Sequence, residues 1–292
     1  MTHPAGPPTP PPHPGEPQSG PSAVCVRHKD RPTGLSCTRC GRPACPECLR
    51  EASVGYQCVD CVGAARRGVR RGTTIAGAAP GTRPVVVPTL IALNVAIYLL
   101  TAVEAGSING NAAAPLFGQW SLVARDVWAG EWWRIVTSGF LHIGLIHLLF
   151  NMWALWVLGR DMEIVLGRVR FLAVYMVSLL GGSAAVMVFT ANQEVAGASG
   201  AVFGLMGGLA VVLRRMRVPA GQVIGLIAVN VVISVIIPGI SLIGHLGGLV
   251  VGAGATAALV YAPARSRNVV QAGALAGLTV LLLLVIAITG LR

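Results

Sequence analysis

The chain has 292 residues, of which 54% are hydrophobic and only 11% charged, and its formal net charge is +11. That combination excludes an ordinary soluble globular domain and fits a membrane protein. The excess charge is almost wholly arginine, placed early in the chain and in short gaps between apolar runs, where loop charges set membrane orientation; no nucleic-acid partner is expected.

Residues 1–23 are mostly proline, glycine and polar residues. They read as a disordered tail without the apolar core of a cleavable signal peptide, so the N-terminus is expected to stay in the cytoplasm. All seven cysteines then fall between Cys25 and Cys61, and one histidine completes four pairs: Cys25/His28, Cys37/Cys40, Cys45/Cys48 and Cys58/Cys61. Eight soft ligands in four closely spaced pairs can supply two tetrahedral Zn²⁺ sites. A segment of about 40 residues has too little core to fold unaided, so the metal is expected to be its folding energy. Disulfides fit an odd cysteine count and a cytoplasmic segment badly. The pattern resembles a small B-box-type finger. That resemblance implies that the first and third pairs share one metal and the second and fourth the other. Two closed sets of four ligands are structural sites in this reading.

Residues 64–84, with Arg66, Arg67, Arg70 and Arg71, form a basic linker at the membrane surface. From about Pro84 onward come apolar runs long enough to cross ~30 Å of hydrocarbon. Spans are expected near 85–104, 141–159, 169–191, 198–213, 219–237, 241–261 and 268–290. Arg160, Arg168 and Arg170, then Arg214, Arg215 and Arg217, then Arg265 and Arg267 lie on alternate connections. The opposing loops hold Arg125 and Arg134, apart from Arg292. The positive-inside rule then gives seven spans, with the N-terminus cytoplasmic and the C-terminus outside. Between the first two spans, Trp120, Trp128, Trp132 and Trp133 suit a segment lying in the headgroup region.

Polar side chains at membrane depth are functional candidates by default. In this topology His147 and Asn151 lie one to two turns below the outer face. Ser199 lies in the first turn of the fourth span and His245 about a turn into the sixth. His147 and Asn151 are four residues apart and share a helix face. Both can donate hydrogen bonds to one point, as an oxyanion hole requires. Gly200, Gly204 and Gly208, and Gly244, Gly248 and Gly252, recur every fourth residue. Such stripes let helices pack backbone against backbone and would bring His245 to Ser199. Within the spans the one acid is Glu104, at the outer end of the first. The usual third member of a triad is thus missing, and a Ser199–His245 dyad is the natural inference, with His245 as base and then acid. His142 is given a supporting role.

These residues resemble those of the rhomboid intramembrane serine proteases. The resemblance covers roughly 85–262 and rests on Trp133-Arg134, the His142, His147 and Asn151 spacing, Gly197-Ala198-Ser199-Gly200, and His245 followed by Gly248 and Gly252. It implies a six-helix rhomboid core over 85–262 in an all-α polytopic fold; the expected seventh transmembrane helix over 263–292 and the zinc-binding module over 24–63 lie outside that resemblance. It implies Ser199 and His245 as catalytic residues. The oxyanion site would be the Ser199 backbone N–H with His147 and Asn151; Trp133, Arg134 and His142 would support it. Phe203 stands where the family has a tyrosine that packs on the histidine, and Glu163 resembles a structural acid of an inner loop.

The implied activity is hydrolysis of peptide bonds in or beside transmembrane helices of substrate proteins. It needs no catalytic cofactor, and small side chains are preferred at the cut. Such a bond must first leave its helix, because a helical backbone hides its carbonyls in hydrogen bonds. The turn Pro238-Gly239-Ile240 is a candidate moving cap. The expected setting is the bilayer of a bacterial plasma membrane, and the zinc module offers a surface to a cytoplasmic protein partner. The rival readings are a catalytically silent relative that binds membrane clients and a transporter. The first normally lacks the serine or the histidine; the second calls for mid-membrane charges and internal repeats.

Overall fold

A computed structural model describes residues 23–68, 72–81 and 83–291. Residues 1–22 of the expected tail over 1–23, Arg70 and Arg71 of the linker, and Arg292 lie outside the described residues. The chain divides into two compact units, with the boundary between Arg71 and Gly72.

The first unit is built around its cysteines. A three-residue 3₁₀ turn, Pro46–Cys48, leads into a hairpin of β1 (Leu49–Glu51) and β2 (Tyr56–Cys58), and α1 (Val59–Gly68) follows directly. The strands pair antiparallel, with Leu49 opposite Cys58 and Glu51 opposite Tyr56. Its buried cluster consists of Cys25, Cys37, Cys45, Cys48 and Cys58 with only Ala44 and Leu49. Two small apolar side chains cannot offset the entropy of ordering some 40 residues, so something must join the sulfurs.

The second unit is helical. Its long helices are α2 (Val86–Glu104), α6 (Gly144–Leu166), α7 (Arg168–Phe189), α8 (Ser199–Met216), α9 (Gly221–Ile236), α10 (Leu242–Val260) and α11 (Arg267–Thr289). Between α2 and α6 come the short helices α3 (Pro115–Trp120), α4 (Ala124–Trp128) and α5 (Arg134–Thr137). Among the described residues, five of the long helices are by themselves long and apolar enough to cross a membrane. A sixth span is counted when the segment Arg134–Phe140 is joined to α6 across a 93° bend. The fifth expected span, α9, has 16 residues, or ~24 Å of helix, short of a ~30 Å hydrocarbon core. The chain is therefore an integral membrane protein whose helices match the seven expected apolar runs, while length and composition qualify five or six as spans.

The second expected span begins later than its hydropathy suggests. Residues 141–143 are extended, and α6 starts at Gly144, whose φ is +71°. Asn111 sets this start. Its fully buried amide donates to the carbonyl of His142 at 2.8 Å and accepts from the Gly144 N–H at 2.9 Å.

At the opposite end of α6, buried Glu163 accepts hydrogen bonds from three backbone N–H groups at the start of α2. These come from Val85 at 2.7 Å, Val86 at 3.0 Å and Val87 at 2.9 Å. A carboxylate there satisfies orphan donors and complements the helix dipole.

α7 is the most enclosed of the candidate spans and α11 the least, with 72% and 11% of their apolar windows buried. α11 is held at one end by Gln271, whose amide donates to the Ala76 carbonyl at 3.0 Å and the Leu259 carbonyl at 2.7 Å. Arg170 donates to the same residue's oxygen at 2.7 Å. Near the other end, Trp128 Nε1 donates to Thr289 Oγ1 at 3.4 Å.

Candidate active site

α10 lies against both α7 and α8, and glycine allows it. A Cβ on Gly248 would fall 2.6 Å from the Gly200 carbonyl carbon, and one on Gly252 would fall 2.6 Å from that of Gly204. Side chains at those positions would force the helices apart. This contact sets the chemistry: Ser199 opens α8, His245 lies in the first turn of α10, and the histidine Nε2 is 2.7 Å from the serine Oγ.

The remaining contacts of His245 determine its tautomer. Its Nδ1 lies 2.8 Å from Ser234 Oγ on α9. Ser234 Oγ in turn is 2.7 Å from the Asn230 carbonyl, which can only accept. One hydroxyl proton cannot serve both neighbours. The assignment that satisfies every contact has Ser234 donating to Asn230 and accepting from His245 Nδ1–H. Nε2 then carries a lone pair and accepts the Ser199 proton. Ser234 was not singled out in the sequence, where it is one serine in an apolar run.

The ring of His245 is stacked on Phe203, with centroids 4.1 Å apart and planes inclined by 15°. The phenylalanine thus provides the flat support that the sequence resemblance assigned to position 203.

His147 accepts the Ile143 backbone N–H at Nδ1, 3.3 Å away. Its Nε2 therefore carries the proton, and that nitrogen lies 3.0 Å from where a Cβ of Gly197 would be. Gly197 has φ +137°, so glycine is required there both by conformation and by the histidine ring. Asn151 Nδ2 donates to the His147 carbonyl at 3.0 Å, one turn along α6, leaving one of its two N–H protons for a ligand. The first turn of α8 has no side-chain cap, so its backbone N–H groups are available donors beside Ser199.

His142 lies outside α6, fully buried, with its ring 5.1 Å from that of His147. Arg134 is also buried. It donates to Glu131 at 2.6 Å and to the carbonyls of Gly118 and Ser121 at 2.6 and 2.9 Å, tying α3 to α5. The neighbouring Trp133 is exposed and donates to the Gln119 carbonyl at 3.1 Å. Arg134 and Trp133 thus brace the loop, whereas both ring nitrogens of His142 lack a hydrogen-bond partner among the described residues. The expected cap, Pro238-Gly239-Ile240, is a turn with φ +84° at Gly239.

The comparisons agree with this geometry. Residues 129–262 match the family model described as Rhomboid domain. The chain carries a rhomboid domain. It is homologous to rhomboid proteases: it is 38% identical to Rhomboid protease GluP of Bacillus subtilis over 184 residues, covering 61% of this chain and 35% of that one. It is 29% identical to RHOMBOID-like protein 4 of Arabidopsis thaliana, covering 58% and 51%. Against Rhomboid protease AarA of Providencia stuartii it is 28% identical, covering 61% and 74%. The chain thus spans about a third to a half of the length of the first two relatives.

The first unit offers a separate kind of site. Cys25, His28, Cys45 and Cys48 form one group and Cys37, Cys40, Cys58 and Cys61 the other, with the ligand atoms of each within 4.8 Å of one another. This is the interleaved grouping implied by the finger resemblance. The His28 Nδ1 lies 3.9, 3.3 and 3.4 Å from the sulfurs of Cys25, Cys45 and Cys48, and the Cys40 and Cys58 sulfurs are 3.8 Å apart. Ligand–metal bonds of about 2.0–2.3 Å arranged tetrahedrally give edges of about this length. The Cys45 backbone N–H brings the Cys25 thiol down to about 6, and the Cys58 N–H, 3.1 Å from Cys37 Sγ, does the same for Cys37. Burial pushes Cys48 up to about 11, and hydrogen bonding with Cys40 pushes Cys61 up to about 12. Thiolate and thiol crowded together in each group fit a bound cation, so both sets of residues can hold a metal ion.

Proposed function

We propose that this protein is an intramembrane serine endopeptidase that hydrolyses peptide bonds in or near the transmembrane helices of substrate proteins. The observation that carries this reading is the 2.7 Å contact between Ser199 Oγ and His245 Nε2 within the rhomboid domain. In this reading His245 takes the Ser199 proton as the oxygen attacks the substrate carbonyl, then gives that proton to the leaving amine. The tetrahedral oxyanion is met by the Ser199 backbone N–H, His147 Nε2–H and the free N–H of Asn151. Arg134 and Trp133 hold the loop beside these groups, and Phe203 holds the ring of His245 in plane.

The eight Cys and His ligands of the first unit would hold two structural Zn²⁺ ions, which supply folding energy to that unit and no step of the hydrolysis. The module would present its surface to a cytoplasmic protein partner. The arginine distribution supports an N-terminus in the cytoplasm, a C-terminus outside and an active site near the outer face.

The test is cleavage of a single-span substrate in liposomes by the wild type, Ser199→Ala and His245→Ala. Cleavage near the outer boundary by the wild type, reduced about 10⁴-fold or more in both variants, is expected. Binding of helix-destabilised substrates without cleavage would instead support a catalytically silent relative.

A further inference from the structure

A serine inside a membrane helix commonly satisfies itself by donating to the carbonyl four residues earlier, and Ser234 does so with Asn230. That alone would make it a neutral helix residue. What sets it apart is the second contact, 2.8 Å to His245 Nδ1 on a different helix. Both side chains are buried, with 5% and 7% exposure for Ser234 and His245. Because its single proton is committed to Asn230, the Ser234 oxygen faces the histidine as an acceptor. The back-bond therefore orients the lone pair that His245 needs.

We propose that Ser234 is the positioning residue of His245, holding the ring through Nδ1–H so that Nε2 faces Ser199. This deepens the protease reading and rests on it. In a serine–histidine pair without a carboxylate, nothing else seen around His245 distinguishes its two nitrogens. Phe203 fixes the plane of the ring and would stack equally well on either tautomer or on a ring flipped by 180°. The neutral oxygen of Ser234 decides both. When His245 takes the Ser199 proton on Nε2, the Nδ1–H bond to Ser234 stays in place and no proton passes to the serine.

The contact also joins two helices that share little else. Val223 and Ser234 are the buried residues of α9, so most of that helix faces outward. Ser234 is its buried polar link to α10, and the alignment of the base depends on α9 keeping its place.

The experiment combines kinetics with ¹⁵N-histidine NMR on the full chain in detergent micelles, comparing wild type with S234A and S234T. Reaction of Ser199 with a fluorophosphonate and cleavage of a single-span substrate supply the rates. In S234A, kcat and the fluorophosphonate rate should fall about 10- to 100-fold, as expected when a reacting group is misplaced. KM should stay within about twofold, since Ser234 makes no contact in the substrate cleft. The ¹⁵N shifts of His245 should move from the Nδ1–H tautomer toward a mixture. S234T, which keeps the hydroxyl, should restore both readouts even where S234A lowers the melting temperature. Unchanged kcat and unchanged ¹⁵N shifts in S234A would overturn the proposal, as would a loss in S234A that S234T fails to restore. A wild type that neither cuts nor reacts would overturn the protease reading instead, and the ¹⁵N shifts would still decide the role of Ser234.

Discussion

Gly248 on α10 rests directly on Gly200 of α8: a Cβ added to Gly248 would come within 2.6 Å of the Gly200 carbonyl carbon and 3.0 Å of its Cα. Gly200 follows Ser199 in sequence, and Gly248 is three residues beyond His245. The spacing of these two backbones therefore sets the distance between Ser199 Oγ and His245 Nε2. Gly248→Ala must push backbone against backbone. It should destabilise the protein by about 1–3 kcal/mol and lower kcat by widening the 2.7 Å contact. Gly254 has nothing within 4 Å of a built Cβ, so Gly254→Ala on the same helix is the matched control and should leave both unchanged. Thermal unfolding in detergent and liposome cleavage check the pair.

His147 points a proton at the site because its other nitrogen is occupied by the Ile143 N–H. Replacing it with alanine should cost about 10²–10³ in kcat with little change in KM, the behaviour of a donor used only in the transition state. His147→Gln, which keeps a donor, should recover part of the rate. Steady-state cleavage of a soluble or single-span substrate separates the two parameters.

Glu163 takes three backbone N–H groups at the start of α2 and sits far along α6 from His147. Glu163→Gln removes the charge and turns an N–H toward donors that need an acceptor. A loss of about 2 kcal/mol is expected, with faster hydrogen exchange at Val85, Val86 and Val87. Once the variant is folded, its kcat should match the wild type.

The first unit should carry two metal ions per chain, measured by elemental analysis. A strong chelator should remove them and abolish the circular dichroism of the isolated 23–68 segment, because its core is little more than the ligands themselves. Acid should release the metal as well, since thiolates bind it and thiols do not; affinity should rise with pH as Cys48 and Cys61 give up protons. Cys25→Ser should weaken one of the two ions and leave the set around Cys37 intact.

Much of this molecule is written locally. Apolar runs long enough to be helices, cysteine pairs two residues apart, and glycines every fourth residue are short-range patterns with direct physical consequences. They placed six of the seven long helices within three residues at each end, while α6 runs on to Leu166 beyond the expected 159. They also marked the eight soft ligands, whose division into two sets came from the finger resemblance. Ser199 and His245 were also legible, because a hydroxyl and an imidazole in glycine-rich apolar sequence are costly without partners.

Other features were decided only when distant segments met. The start of α6 at Gly144 depends on Asn111, 33 residues earlier, and hydropathy has no view of such a cap. The proton on His147 depends on the extended turn at Ile143. Ser234 is invisible in its own run of Val and Ile, where a back-bonded serine means nothing. It meets His245 only when α9 lies beside α10 and its oxygen comes within 2.8 Å of Nδ1. Periodicity reports which face of a helix is apolar, but hydrogen bonds of about 3 Å between helices are set by packing, and packing belongs to the folded whole.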